Sequence, residues 1–322
     1  VMRAVWWRAV GPPSVLELGE AEEPVPGPGE VLIRVEVAGI TFIETQTRAG
    51  RAPRAGAVPP AVLGNGVGGT VAAVGPGGDP ALVGRRVVAS LNGTGGYAEL
   101  AVAAVRDTVL IPDGVSTQDA TALVTDGRTA LGLHEVAAPR PGETVLVEAA
   151  AGGVGSLLVQ LALDAGARVI GAASGERKLA LIRDLGAEAV DYTAPGWTGP
   201  FKDLDVVYDG VGGTVGREAL AVTAGRFVVH GAAGGPPTQP GAGVTAFGFP
   251  ELQQIGRRAP ELAARALRAA AEGRLRPVIG QTFPLARAAD AHAAIESRET
   301  LGKTLLIVRD QPTGVPVRGP QS

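Results

Sequence analysis

The sequence contains no cysteine. That excludes a disulfide framework, thiol nucleophiles, iron–sulfur clusters and cysteine-based zinc sites. Lysine is almost missing too. Only Lys178, Lys202 and Lys303 occur, so 29 basic residues minus 3 lysines leaves 26 arginines. A GC-rich genome accounts for that bias, yet it gives each lysine individual interest. There is no surplus of positive charge: the formal net charge is −3. General nucleic-acid binding needs a basic surface to displace counterions and is not expected. Long apolar runs are lacking as well. The most apolar stretch, 144–166, is broken by Glu148, Gln160 and Asp164 and is too polar to span a bilayer. The start, VMRAVWW, has no basic region followed by an apolar one, so no signal peptide is read there. The expectation is a cytoplasmic protein with no nucleic-acid and no membrane partner.

What is present points to a folded enzyme-sized chain. The 322 residues suit two domains of roughly 150 each. With 45% hydrophobic and 19% charged residues, the composition is globular. The first 120 residues read as β-rich. VLIRVEVAG (31–39) alternates with period two, and GTVAAVG (69–75), RRVVAS (85–90) and YAELAV (97–102) are further short strands. Gly/Pro turns such as PVPGPGE (24–30) and GPGGDP (75–80) separate them.

The pattern changes near residue 120. Strands are expected at 144–149, 167–173, 187–192, 204–210 and 225–231, with helices at 153–166 and 176–186 between the first three. Strands alternating with helices imply parallel βαβ units. Ala165-Gly166 and Leu185-Gly186 fit left-handed helix ends. Helices are expected again at 260–273 and 286–299, then a strand at 303–308. The Pro/Gly-rich tail, 310–322, is expected to be disordered.

The strongest motif is EAAAGGVG (148–155), placed between a strand and a helix. Small residues at Ala149, Gly152 and Gly155 allow a tight turn and close backbone approach to a pyrophosphate. The helix N-terminus supplies free N–H groups. At the end of the second strand, NAD-binding turns usually carry an acid for the ribose hydroxyls. Here the chain reads Ala172-Ala173-Ser174-Gly175, followed by Glu176, Arg177 and Lys178. A 2′-phosphate calls for hydroxyls and cations, so the expected cofactor is NADPH.

The sequence resembles the quinone oxidoreductase (zeta-crystallin-like) branch of the medium-chain dehydrogenase/reductases. The carriers are PGPGEVLIRVEVAGITFIETQTRAG (26–50), GGYAEL (95–100), TDGRTALGL (125–133), EAAAGGVG and ESRETLGKTLLIV (296–308). The resemblance implies an α/β protein. A GroES-like β-rich catalytic domain (1–122 and 259–309) would accompany a Rossmann doubly wound parallel-sheet cofactor domain (123–258). It implies that Gly152, Gly153 and Val154 hold the pyrophosphate, and that Ser174, Lys178 and Tyr192 hold the 2′-phosphate and ribose, beside the Arg177 cation already read from the strand end. Arg298 would reach back to the cofactor. Thr129, Gly210, His230, Gly231 and Ala232 would lie beside it. Thr41, Phe42 and Thr45 would line the nicotinamide and substrate cleft. A homodimer is implied, formed through edge strands of the cofactor domains.

The departures are informative. Zinc-dependent relatives have Cys where Thr41 stands and a His-Glu pair at Asn65-Gly66, and they carry a four-cysteine lobe. No metal is therefore expected. Relatives commonly have Asn at Thr41 and Asp at Glu44, which leaves the substrate site less defined.

The expected chemistry is hydride transfer from NADPH to a quinone or an enone, neither of which needs a strong general acid. No catalytic acid is assigned; the polar candidates are Tyr97, Asp126 and His230. A tyrosine packed in the barrel with a wet hydroxyl competes for Tyr97, and a helix N-cap for Asp126. His134 and His292 read as ordinary helix residues. Two other readings stay open. One is an enoyl-thioester or tailoring reductase; the other is a non-catalytic NADPH-binding protein.

Overall fold

Two strands that carry no strong sequence pattern open the chain. In the computed structural model, which describes residues 1–51 and 57–309, β1 (Met2–Trp7) pairs antiparallel with β2 (Leu16–Ala21). The tail 310–322 lies outside the described residues. The alternating segment forms β3 (Glu30–Ile40) and buries Val31, Ile33, Val35 and Val37 on one face. Helix α1 (Phe42–Arg48) follows, then β4 (Ala61–Val62), β5 (Gly66–Val74), β6 (Arg86–Ser90), β7 (Leu100–Ala104) and β8 (Thr108–Leu110). β5 and β7 both lie antiparallel to β3. Inward Val, Ile and Ala side chains of these three strands form one core with Trp7, Leu63 and Tyr97.

Helices α2 (Thr117–Ala122) and α3 (Arg128–Ala137) are joined through one wide turn of π-helical geometry, Leu123–Gly127. The βαβ series then runs β9 (Thr144–Glu148), α4 (Gly153–Asp164), β10 (Arg168–Ala173), α5 (Glu176–Asp184) and β11 (Glu188–Asp191). It continues through β12 (Leu204–Asp209), α6 (Gly213–Ala221), β13 (Thr223–Val229) and β14 (Thr245–Phe247). Among the described residues these six strands form one parallel sheet in the order β11-β10-β9-β12-β13-β14. That is the doubly wound arrangement, with its switch point at β9 and β12. Leu146, Ile170, Val207 and Phe227 fill its core. Gly166 and Gly186 take left-handed φ of 79° and 94° beyond α4 and α5, as the helix ends require.

Helices α7 (Phe249–Arg257) and α8 (Ala259–Ala271) come next, then β15 (Ile279–Pro284), α9 (Ala288–Glu296) and β16 (Lys303–Ile307). β15 and β16 extend the β-rich sheet, in the order β15-β16-β3-β5-β6-β8 with β7 also on β3.

The described residues divide into two units: those within 1–108, 282–296 and 305–309 in the first, 109–281 and 297–304 in the second. This moves the expected boundaries. Residues 109–122, 259–281 and 297–304 belong with the parallel sheet, not with the β-rich unit, and α8 packs on α3. Gly127 permits that contact: a Cβ there would sit 2.8 Å from the Ala266 methyl. An apolar helix stripe demands a partner surface but does not name it.

Candidate functional site

The Gly-rich turn leaves the C-terminal end of β9. Ala149 adopts a left-handed φ of 48°, and Gly152 caps α4 with extended backbone. The Gly152 amide donates to the Ala149 carbonyl at 2.9 Å. A Cβ on Gly155 would overlap that carbonyl oxygen and lie 2.8 Å from Cα of Ala150, so only glycine lets α4 start this close to the strand. A Cβ on Gly153 would collide with the Asp126 carboxylate. Val154 is half-buried in the first turn of α4. The result is a helix N-terminus with no side-chain cap, its first N–H groups left without a capping partner.

A second group gathers at the end of β10. Ser174 is half-buried and Arg177 is exposed. Lys178 donates from Nζ to the Arg298 carbonyl at 2.6 Å. Arg298 takes a left-handed φ of 60°, and its guanidinium bonds the Ala233 carbonyl. Burial, then the nearby Arg298 charge, lowers the Lys178 amine below its ordinary value. Two cations thus share one place, an arrangement that suits a multiply charged anion. The Tyr192 amide donates to the Ala173 carbonyl at 3.2 Å and brings that ring to the same strand end.

An acid that the motif reading overlooked, Asp191, also stands there, since it is level with Ala173 across the sheet. Its carboxylate accepts from the Thr193 hydroxyl and amide at 2.6 and 2.8 Å. Those bonds, helped by the Gly175 amide, hold it below the usual carboxylate range. It is spent on the turn.

Asp126 is not a helix N-cap. It sits inside the wide turn between α2 and α3, where Lys303 Nζ donates to its Oδ1 at 2.8 Å and to Thr125 Oγ1 at 3.1 Å. Its carboxylate is thus engaged by the wide turn's own partners rather than by the start of a helix. Thr129 donates its hydroxyl to the Thr125 carbonyl at 2.8 Å.

Beneath the turn lie groups that composition and motif did not reveal. Glu148 and Asp209, at the ends of β9 and β12, are both fully buried. Glu148 Oε2 accepts from the Val211 amide at 3.1 Å; Asp209 Oδ1 accepts from the Val211 and Gly212 amides at 3.2 and 2.7 Å. Burial, then the Asp209 charge, pushes the Glu148 carboxyl up to about 10. It therefore stays protonated in the folded chain at neutral pH.

His230 follows β13, with its amide bonded to the Asp209 carbonyl at 2.9 Å. Burial lowers its imidazole to about 4, so the ring is neutral and cannot serve as a charged acid at neutral pH. Its Nε2 has no hydrogen-bond partner and would lie 3.2 Å from a Cβ on Gly210. The Gly231 amide joins the same Asp209 carbonyl at 3.2 Å, and Ala232 is exposed beyond it.

The Glu148 result carries a pH dependence. The unfolded chain ionises this carboxyl above about 4.5, while the folded chain keeps it protonated to about 10. The unfolded state then binds fewer protons, and stability falls as pH rises through that interval. Glu148→Gln keeps the Val211 bond and cannot ionise. Its melting temperature is expected to match the wild type near pH 4.5 and to exceed it by at least about 3 °C at pH 8. Parallel melting curves against pH would show that Glu148 ionises freely.

The first unit holds the remaining predicted residues. Thr41 caps α1, and its amide and hydroxyl donate to Glu44 Oε2 at 2.6 and 2.7 Å. Glu44 Oε1 accepts from the Asn65 amide at 3.0 Å. The positions where zinc-dependent relatives bind metal are thus linked through one buried carboxylate. Among the described residues, no group of three or more His, Cys, Asp and Glu side chains is arranged to hold a metal ion. Phe42 is partly exposed, and Thr45 is buried with its hydroxyl on the Phe42 carbonyl.

Tyr97 is fully buried, and its hydroxyl lies 3.0 Å from His292 Nε2. Its hydroxyl is dry rather than wet, and burial removes it from the acid candidates. Burial and the Glu44 charge raise Tyr97 well above its ordinary value. Beside it Arg48, also fully buried, bonds the Gly11 carbonyl and the Glu296 carboxylate.

A β-rich unit joined to a doubly wound sheet with a glycine turn at its switch point defines a dinucleotide-dependent dehydrogenase/reductase. Residues 27–113 match the alcohol dehydrogenase GroES-like domain, and residues 185–306 match the zinc-binding dehydrogenase family. A quinone oxidoreductase of Pseudomonas aeruginosa is 34% identical over 95% of this chain and 99% of its own. A 2-haloacrylate reductase of a Burkholderia species is 30% identical, covering 95% of this chain and 99% of its own. A mycobacterial structure complexed with NADPH superposes with a TM-score of 0.86 at 35% identity, covering 96% of this chain and all of that one. The chain belongs to the quinone oxidoreductase family of the medium-chain dehydrogenase/reductases. Among the described residues, no helix is long and apolar enough to cross a membrane.

Proposed function

We propose that the protein is a zinc-independent oxidoreductase that uses NADPH to reduce quinones or related conjugated carbonyls. The carrying observation is the Lys178–Arg298 cation pair at the end of β10, one strand from the glycine turn. The residues fit the cofactor. The turn at Gly152, Gly153 and Val154 opens a helix whose N-terminus has no side-chain cap, which suits a pyrophosphate. Lys178, Arg298, Ser174 and the exposed Arg177 bind the 2′-phosphate, with Tyr192 at the ribose. His230, kept neutral by burial, offers its unpaired Nε2 beside Gly210. Gly231, Ala232 and Thr129 complete the wall of the site. Thr41 and Phe42 enter the proposal through the resemblance alone.

When bound, NADPH supplies the hydride. The protein's part is to bind, orient and exclude water, and solvent protonates the delocalised product anion. The quinone and 2-haloacrylate activities of the relatives both fit such an acceptor. The test is NADPH oxidation followed by absorbance with phenanthrenequinone and with a simple enone. Quinone-dependent oxidation with NADPH well preferred over NADH is expected. Tight NADPH binding with no turnover on any quinone or enone would identify a non-catalytic binder instead. We also propose a homodimer built on the edge strand β14, to be checked by light scattering on the purified chain.

A further inference from the structure

Lys303 has no place in the cofactor site described above, yet only 3% of it is exposed, and a buried ammonium is costly unless paired. Its partners are both on the wide turn: Asp126 Oδ1 at 2.8 Å and Thr125 Oγ1 at 3.1 Å. The other carboxylate oxygen of Asp126 is directed at Gly153, where a Cβ would collide with it. A negative charge therefore flanks the bare N-terminus of α4. The residue before Lys303 is fixed to the same turn. Gly302 bridges Gly152, and its amide donates to the Ala151 carbonyl at 2.7 Å. The cation is thus delivered by a backbone segment already registered on the turn.

We propose that Lys303 is a positioning residue for dinucleotide binding, compensating the Asp126 carboxylate so that the pyrophosphate can dock on the Gly152–Gly155 turn. This rests on the cofactor reading above. An unpaired carboxylate here would face the pyrophosphate with like charge, whereas the neutralised pair presents a polar wall. The carboxylate is in turn useful, because its Oδ2 fills the space above Gly153 while its Oδ1 holds Lys303 in place.

The experiment measures NADPH and 2′-AMP dissociation constants by calorimetry on the full chain, together with melting temperatures. The ligand 2′-AMP reports the 2′-phosphate site but lacks the pyrophosphate. Lys303→Met is expected to weaken NADPH at least about tenfold while leaving 2′-AMP within about threefold. The double variant Asp126→Asn/Lys303→Met is expected to regain NADPH affinity to within about threefold of wild type. Asp126→Asn alone, which frees the cation, is expected to bind NADPH as tightly as wild type or tighter. It keeps the test available should Lys303→Met fail to fold.

A Lys303→Met protein that melts lower but binds NADPH normally would make the pair merely structural and overturn the proposal. So would a double variant no better than Lys303→Met, or an Asp126→Asn variant weakened tenfold. Wild-type protein that binds neither NADPH nor 2′-AMP would instead overturn the cofactor reading, and this inference with it.

Discussion

Gly155→Val is expected to abolish measurable NADPH binding and to lower the melting temperature by at least several degrees. The added Cβ would overlap the Ala149 carbonyl oxygen and sit 2.8 Å from Cα of Ala150. Both obstacles are backbone and cannot rotate away. Overpacking of this kind costs about 1–3 kcal/mol even where neighbours are side chains. Relief requires α4 to withdraw from β9, which carries its free N–H groups away from the pyrophosphate. Gly241→Ala is the control, since a Cβ there meets nothing within 4 Å. The readout is quenching of NADPH fluorescence beside a thermal melt. Wild-type NADPH affinity in Gly155→Val would show that the turn is not the pyrophosphate cradle.

The second large effect is on cofactor choice. Lys178→Ala should raise the dissociation constant for NADPH about 10- to 100-fold, the worth of one charge-assisted bond at about 1.5–3 kcal/mol. NADH, which lacks the 2′-phosphate, should be unaffected within about twofold. The amine is half-buried and already disfavoured by burial and by Arg298, so a phosphate relieves a repulsion as well as making a bond. Added salt should weaken NADPH binding in the wild type more than in the variant. Equal losses for the two cofactors would remove Lys178 from the 2′-phosphate site.

Much of the frame was legible because its signals are local. Period-two alternation marks β3, and the short apolar runs mark β9 to β13. The glycines after α4 and α5 mark where the helices stop. The glycine turn was legible for the same reason: its chemistry lies within eight consecutive residues. What escaped depends on distance. Asp126 and Lys303 are 177 positions apart, and no spacing rule joins them. Glu148 closes an apolar strand and gives no hint that burial, and after it Asp209 on the neighbouring strand, will keep it protonated. Tyr97 was expected to wet its hydroxyl; His292, 195 positions away, supplies a dry partner instead. The assignment of α8 failed on a related point, because its apolar stripe does not name its partner, and the close approach of Ala266 to Gly127 joins elements far apart in sequence.

The Arg48–Glu296 contact bears on the order in which the chain matures during synthesis. Its partners are 248 positions apart, with residues 109–281 of the second unit emerging between them. Until α9 leaves the ribosome, Arg48 has no carboxylate, and until β16 follows, part of the β3 edge has no neighbour. The six strands of the parallel sheet, all made by β14, can therefore pair first, while the earlier-made unit waits with an open strand and Arg48 still without Glu296. Such a nascent chain depends on residues 282–307 for protection of the β3 edge, so a chain stopped near residue 281 leaves the first-made unit open and also strips Arg298 and Lys303 from the second.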